Sequence, residues 1–224
     1  MLMPSLVQKI NVLLRVMPVR EWTKEVLSNK LDLLSIPQIQ GEIEVDLLSR
    51  KSLTGAFKTA HPGQISSAVT SIPPCFHQKI CVKQVYQQRG NGSIGRYLPS
   101  EERGKILMEL ICLDWATILL DLTYGFIQAA VEEYGEPPRG IPQLRFVRTM
   151  LADSTSSIQK CFLIEEWVGT GAFTKYINNG RPESCVRADA PAEEHRIAEF
   201  LCFAQHVQYN QTGGLAFTSD YQGL

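Results

Sequence analysis

Hydrophobic and polar positions alternate in several short segments, and each such segment predicts a half-buried β-strand. Residues 41–47 alternate strictly. Residues 78–86 alternate again, with Ile80 and Val82 on one side and Cys81 and Lys83 on the other. Further predicted strands cover residues 57–60, 144–148, 161–164 and 215–219, and predicted loops cover residues 61–75 and 88–93.

Apolar residues recur at helical spacing in three other regions. The strongest predicted helix starts at Ser100, a candidate N-cap, keeps its apolar face to Phe126 and ends before residues 135–140. Residues 192–209 predict a second long helix, and the first 40 residues carry two shorter helical patches at 10–17 and 21–34. The predicted order of elements is strands, a long helix, strands, a helix and a strand. This order predicts an α+β fold in two lobes.

Composition narrows the class of protein. The chain has 224 residues, 44% of them hydrophobic and 20% charged, which suits one packed domain with a modest extension. A formal net charge of −1 argues against binding to nucleic acid or to a membrane surface. Apolar runs are too short for a transmembrane helix, and the N-terminus lacks a signal-peptide pattern. The six cysteines form no CxxC pair, so we expect no disulfides, a reducing compartment and a cytoplasmic protein.

Two sets of residues in the first part of the chain could carry chemistry. Lys83 follows the Gly55 turn, and a glycine turn lets backbone N–H groups approach phosphate oxygens while a lysine adds charge. Lys83 is equally a surface lysine on an edge strand. Glu165 and Glu166 follow an apolar strand, where they suit either a hinge between lobes or a solvated turn.

Two residues near the end of the chain are further candidates. His206 has Cys202 one helical turn before it, which resembles half of a metal site but also suits a capping or core histidine. Asp220 could accept a hydroxyl proton or hold Mg²⁺, and it could equally be a turn residue. Neither composition nor spacing decides among these alternatives.

Four stretches together carry a family resemblance. They are residues 53–60, residues 81–83, residues 162–168 with 173–180, and residues 203–209 with 212–214 and 220–223. Together they resemble the atypical alpha-kinase domain, the family of myosin heavy chain kinases and elongation factor 2 kinase. The last two stretches are the most specific, with Asp220 fourteen residues after His206. The resemblance covers roughly residues 42–224.

The resemblance implies a two-lobed kinase-like fold whose N-terminal lobe holds a sheet and the long helix. It also implies ATP-dependent phosphoryl transfer to Ser or Thr of protein substrates. Lys83 would pair with the ATP phosphates, and Gly55 and Lys58 would lie over them. Most relatives have Arg in place of Lys58, so the bidentate fork would be lost here. Glu165 and the backbone of Val168 would hold adenine.

The resemblance assigns further roles near the end of the chain. Asp220 would be the catalytic carboxylate, Gln222 would help to bind Mg²⁺, and His206 occupies a zinc-ligand position. Relatives continue into a second metal-binding Asp, a Gly-rich loop and the remaining zinc ligands, whereas this sequence ends at Leu224. We therefore expect an incomplete C-terminal lobe and no zinc bound by this chain. Cys202 matches none of the family's zinc cysteines, so the Cys202–His206 pair is set aside.

The sequence thus predicts a helical N-terminal extension at residues 1–40 and an alpha-kinase-type domain at 41–224. The expected activity is that of a protein serine/threonine kinase that uses ATP and Mg²⁺, with a protein substrate and neither nucleic acid nor membrane as partner. The alternative is a catalytically incomplete nucleotide-binding or interaction module, similar to a pseudokinase. A structural repeat unit is a third possibility, although the sequence contains no internal repeat that supports it.

Overall fold

The computed structural model describes residues 7–21, 31–47, 53–88, 90, 93–157, 159–169, 171 and 173–223. The elements are β1 (Gln8–Val16), β2 (Ile39–Val45), β3 (Leu53–Thr54), β4 (Lys58–Ile65), β5 (Lys79–Val85), β6 (Gln87–Gln88), β7 (Ile94–Gly95), α1 (Pro99–Tyr134), β8 (Thr149–Ser154), β9 (Cys161–Glu166), β10 (Thr174–Lys175), β11 (Ile177–Asn178), β12 (Arg181–Ser184), α2 (Ala192–Gln211) and β13 (Gln222–Gly223). A 3₁₀ turn at Pro74–Phe76 precedes β5.

The chain divides into two compact units. The first contains Met1–Pro18, Leu31–Cys112 and Val147–Trp167, and the second contains Val19–Lys30, Leu113–Phe146 and Val168–Leu224. Helix α1 contributes its beginning to the first unit and its remainder to the second.

An antiparallel sheet in the order β2-β1-β8-β9-β5-β4-β3 forms the body of the first unit. A further pairing between β2 and β4, with Val45 opposite Gly63, joins the two ends of the six-strand run from β2 to β4. The sheet therefore closes on itself, which protects its edges.

Strict alternation explains the core of this closed sheet, because every second residue of a strand faces the interior. The fully buried interior set consists of residues two apart on β1, β2, β5, β8 and β9: Val12, Leu14, Ile43, Val45, Ile80, Val82, Met150, Ala152, Phe162 and Ile164. Phe76, from the 3₁₀ turn, joins the same cluster. The intervening residues, Lys83 among them, lie on the other face of the sheet.

The first turns of α1 are fastened to the strands by charged side chains. Glu102 has no exposed surface, pairs with Arg96 and accepts hydrogen bonds from the Gln84 amide at 3.3 Å and the Cys161 backbone N–H at 3.4 Å. Arg103 pairs with Asp153 of β8 at 3.3 Å. These contacts fix the start of the helix against β5, β8 and β9.

The second unit is built around α2, the remainder of α1 and the short strands that follow β9. Its apolar cluster consists of Leu120, Tyr176, Ile177, Ala198, Phe200, Leu201 and Tyr221. Tyr124 and Phe200 stack with their ring centroids 5.6 Å apart. The strands pair as β10 with β13 and as β11 with β12. In the described ranges, no helix combines the length and the apolar character that crossing a bilayer requires.

Most predicted elements are confirmed, as is the α+β class, but the helix expected at residues 10–17 is wrong. That segment forms β1, which pairs with β2 and β8 in the middle of the sheet. Its buried apolar residues, Val12 and Leu14, are two apart, and the buried Arg15 pairs with Asp153 at 2.7 Å. The helical patch at 21–34 has its centre, residues 22–30, outside the described residues.

One predicted boundary and two predicted strands are also wrong. Strand β4 continues to Ile65, through part of the expected loop at 61–75. Residues 144–148 form no strand, because the Tyr124 hydroxyl binds the backbone N–H of Leu144 at 2.7 Å and the carbonyl of Pro142 at 2.9 Å. Residues 215–219 form no strand either, because the side chains of Gln208 and Thr212 bind their backbone groups.

Candidate functional site

Lys83 and Glu165 form an ion pair on the non-core face of the first unit's sheet. The Lys83 ammonium lies 2.6 Å from the Glu165 carboxylate. The exposed fractions are 24% for the lysine side chain and 12% for the glutamate side chain, so water screens the pair only in part. The pair is therefore a fixed, partly buried charge arrangement, unlike a solvated surface contact.

Strand register explains why these two residues meet. Lys83 lies opposite Leu163, and Glu165, two residues further along β9, is its diagonal neighbour on the same face. Glu166 alternates to the other side, where it is buried and accepts a hydrogen bond from the Arg148 backbone N–H at 2.7 Å. Of the two adjacent acidic residues, Glu165 therefore faces Lys83 and Glu166 supports the backbone.

Cys81 lies directly opposite Glu165 in the register, on the same face as Lys83. Burial and the negative charge of Glu165 raise the pKa of the Cys81 thiol to about 11, against a smaller opposing effect of Lys83. The thiol is therefore neutral and poorly nucleophilic near pH 7.

The Gly55 turn connects β3 to β4 at one end of the same sheet. Its ends are joined by the Gly55 N–H, which donates to the Lys58 carbonyl at 2.8 Å. The Lys58 ammonium pairs with Glu109 of α1. Since Lys58 and Lys83 occupy the same face of β4 and β5, two cations lie on one surface, each held by one carboxylate.

Asp220 and Lys175 form an ion pair in the second unit. Two backbone N–H groups, those of Tyr176 and Ile177, donate to the carbonyl of Tyr221 at 3.0 and 3.3 Å, which fixes the segment beside β10. Asp220 has a φ of +63°, a left-handed conformation that is uncommon outside glycine and that aspartate tolerates better than most residues. Strained backbone of this kind is concentrated at functional sites.

Gln222 follows on β13, opposite Lys175 in the register. Its side chain is exposed, and Tyr221, between Gln222 and Asp220, is buried. An exposed amide oxygen is a hard donor of the kind that Mg²⁺ accepts, usually together with phosphate oxygens and water. Gln222 thus fits a magnesium ion that is held mainly by a phosphate-bearing ligand.

The described residues around His206 do not fit zinc. His206 is exposed on α2, with its Nε2 2.9 Å from the Asn210 amide nitrogen, and the Cys202 thiol donates to the carbonyl of Pro182 at 3.3 Å. In the part of the chain that the structure describes, no three His, Cys, Asp or Glu side chains form a group that could hold a metal ion.

Val168 begins the second unit's share of the chain after β9, is exposed and lies outside regular structure. Of the predicted site residues, the first unit brings together Lys83 with Glu165 and places Lys58 on the neighbouring strand β4, with Gly55 in the turn before it. The second unit contains Val168, His206, Asp220 and Gln222. The roles in binding and catalysis remain predictions.

The sequence alone assigns no role to Lys175. Lys175 lies inside residues 173–180, one of the stretches that carry the family resemblance. This position is the feature of the sequence that could have indicated a role for it. Its pairing with Asp220 joins residues 45 apart in the sequence, which spacing alone could not indicate.

Comparisons with known proteins identify the fold of this chain, but they find no close relative by sequence. No family model matches the sequence, and no curated protein is detectably similar to it. Among solved structures, a novel alpha kinase from Entamoeba histolytica matches with a TM-score of 0.54 and 13% identity over 97% of this chain and 72% of that one. The alpha-kinase domain of myosin-II heavy chain kinase A, in a structure with a phosphorylated aspartate, matches with a TM-score of 0.50 and 13% identity. This match covers 97% of this chain and 79% of that one.

A third structure, the alpha-kinase domain of myosin heavy chain kinase A in complex with AMP, matches with a TM-score of 0.50 and 16% identity, over 98% of this chain and 81% of that one. All three matches cover nearly the whole chain. This chain therefore has the alpha-kinase fold, and the fold expected from the resemblance is confirmed.

Proposed function

We propose that this chain, which has the alpha-kinase fold, binds ATP and transfers its γ-phosphoryl group to Ser or Thr hydroxyls of a protein substrate. The observation that carries the proposal is the partly buried pair of Lys83 and Glu165 at 2.6 Å. The carboxylate holds the ammonium group in one place, and phosphoryl transfer depends mainly on the positioning of such groups and on charge neutralisation.

On the nucleotide side, Lys83 would bind the phosphates while Glu165 keeps its ammonium in place. Lys58 has three N–H donors, so its contact with Glu109 leaves donors for a phosphate above the Gly55 turn. Glu165 and the backbone of Val168 remain the proposed contacts for adenine. The likeness to an alpha-kinase domain that binds AMP supports a nucleotide as the ligand.

On the substrate side, Asp220 would accept the proton of the attacking hydroxyl. The hydroxyl oxygen forms a bond to the γ-phosphorus, the bond from that phosphorus to the bridging oxygen breaks, and ADP leaves. Lys175 holds the Asp220 carboxylate, and Gln222 would help to hold Mg²⁺. Magnesium, when bound, neutralises negative charge on the phosphates.

A phosphorylation assay with Asp220→Asn separates binding from transfer. We expect the variant to bind Mg·ATP with near wild-type affinity, because Asp220 is proposed to act on the hydroxyl. Its rate of phosphate transfer from radiolabelled ATP to a Ser/Thr peptide library should fall by about 10²–10⁴-fold. Asp189→Asn is the matched control, since Asp189 is an exposed aspartate of the same unit that pairs with Arg187.

Equal transfer rates in Asp220→Asn and in the wild-type protein would contradict the catalytic assignment. Absence of ATP binding by the wild-type protein would contradict the proposed function as a whole.

A nucleotide-binding module without transfer is the second candidate function. The observation that favours it is the Lys175–Asp220 ion pair, because a cation already neutralises the carboxylate that would accept the hydroxyl proton. This candidate predicts ATP binding by the wild-type protein together with no transfer above background.

A further inference from the structure

Tyr86 directly follows β5 and contacts the Gly55 turn at two points. Its backbone N–H donates to the carbonyl of Phe57 at 3.1 Å, and its phenol hydroxyl donates to the carbonyl of Gly55. Tyr86 is only partly exposed. One residue at the end of a neighbouring strand thus donates to two carbonyls of a four-residue turn.

Because the peptide group is planar, the hydrogen bond to the Gly55 carbonyl also fixes the direction of the next N–H group in the turn. The Gly55 carbonyl and the Ala56 N–H belong to the same trans peptide unit, so they point in opposite directions. With the carbonyl fixed on the Tyr86 hydroxyl, the Ala56 N–H points away from Tyr86. Among the described residues, the N–H groups of Ala56 and Phe57 donate to no protein acceptor.

This arrangement is suited to a phosphate. Backbone N–H groups of a turn bind anions, whereas carbonyl oxygens repel phosphate oxygens. If the Gly55 peptide rotated, its carbonyl would replace the Ala56 N–H on the open side of the turn. The Tyr86 hydroxyl opposes that rotation.

We propose that Tyr86 is a positioning residue for the nucleotide phosphates, which acts by holding the Gly55 turn with its N–H groups available. This inference rests on the proposed function, because it takes ATP as the ligand. Tyr86 lies outside the stretches that carry the family resemblance. The inference predicts that Tyr86 strengthens the binding of the phosphates and does not affect the binding of adenine.

The test is Tyr86→Phe, which removes a single hydroxyl and keeps the ring. We expect the dissociation constant for Mg·ATP, measured by calorimetry, to rise about three- to tenfold, as the loss of one hydrogen bond implies. The dissociation constant for adenosine, measured by competition, should stay within twofold because adenosine has no phosphate. Tyr97→Phe is the matched control, since Tyr97 lies in the same unit and packs its ring against Lys105.

Hydrogen exchange of the nucleotide-free protein tests the contact without relying on ATP. Tyr86→Phe should speed amide exchange across residues 53–60, and Tyr97→Phe should leave it unchanged.

Unchanged exchange in Tyr86→Phe would overturn the inference, and so would equal losses of ATP and adenosine affinity. A wild-type protein that binds ATP, together with a Tyr86→Phe variant that binds it equally well, would overturn this inference alone. A wild-type protein that binds no ATP would overturn the proposed function and the inference together.

Discussion

At the scale of single residues, the coupling between Lys83 and Glu165 is the most informative interaction. Each side chain is too buried to lose its partner without cost, and neither is deep enough to be fully desolvated. A double-mutant cycle of Lys83→Met and Glu165→Gln should give a coupling free energy of about 1–2 kcal/mol in urea unfolding.

The matched control for this cycle is the pair of Lys9 with Glu44. Those groups lie 2.9 Å apart, but 64% of the Lys9 side chain is exposed, so solvent screens the pair. We expect a clearly smaller coupling free energy there. Equal coupling in the two pairs would show that Lys83 and Glu165 behave as an ordinary surface contact.

His61 makes stability depend on pH. Burial inside the closed sheet lowers the pKa of His61 below its usual value of 6.5, against the smaller opposing influence of Asp46. As pH falls below 6.5, the unfolded chain binds a proton that the folded protein resists, so stability falls with pH in that window. The free energy of unfolding of the wild-type protein should therefore decrease more between about pH 7 and pH 5 than that of His61→Gln.

His206→Gln is the control variant, because it removes an imidazole from an exposed position outside the closed sheet. If His61→Gln and the wild-type protein lost stability in parallel, the burial of His61 would have no consequence for proton binding.

At the scale of elements, the β2–β4 pairing that closes the sheet depends on Gly63. A Cβ at this position would lie 2.8 Å from the Glu44 carbonyl oxygen and 3.0 Å from the Val82 side chain. Gly63→Ala should therefore lower the free energy of unfolding by about 1–3 kcal/mol, because the backbone of β2 must move.

The same substitution at Gly104 should have the opposite sign. Gly104 is an exposed residue of α1 with open space around its Cα, so alanine adds helix propensity there at no steric cost. Gly104→Ala should raise the free energy of unfolding by up to about 1 kcal/mol. Urea denaturation of both variants measures the contrast, and destabilisation by Gly104→Ala or a neutral Gly63→Ala would contradict it.

Elements with a strong local pattern could be predicted from the sequence, and elements set by distant contacts could not. The apolar spacing up to Phe126 predicted α1, but Ser100 is not its N-cap, because the helix begins at Pro99 and Glu102 N–H donates to the Leu98 carbonyl. The spacing of Ile10, Leu13 and Leu14 also matches a helix, but β1 is a strand because two other strands pair with it. Helical and strand periods overlap over such short apolar runs, so tertiary pairing decides.

In the candidate site, too, features set by the local pattern could be predicted from the sequence and features set by distant contacts could not. Alternation in residues 78–86 predicted that Lys83 faces away from Ile80 and Val82, which the register of β5 confirms. The partners of Lys58 and Lys83 could not be predicted, because Glu109 and Glu165 lie 51 and 82 residues further along the chain. Register and helix placement, which the local pattern does not encode, bring them together.

At the scale of the whole molecule, the alpha-kinase fold is established at only 13–16% identity. A fold can host different functions, so the proposal that this chain is a kinase depends on the residues of its site. The most direct measurement is a calorimetric titration of Mg·ATP into the wild-type protein, Lys83→Met and Lys79→Met. Lys79 lies on the same strand, is exposed and serves as the matched control.

If Lys83 binds the phosphates, the wild-type protein and Lys79→Met will bind Mg·ATP with similar affinity, and Lys83→Met will bind it about 10–100-fold more weakly, as the loss of a charge-assisted contact implies. Equal affinity in Lys83→Met and Lys79→Met, or no binding by the wild-type protein, would contradict a nucleotide site at the Lys83–Glu165 pair.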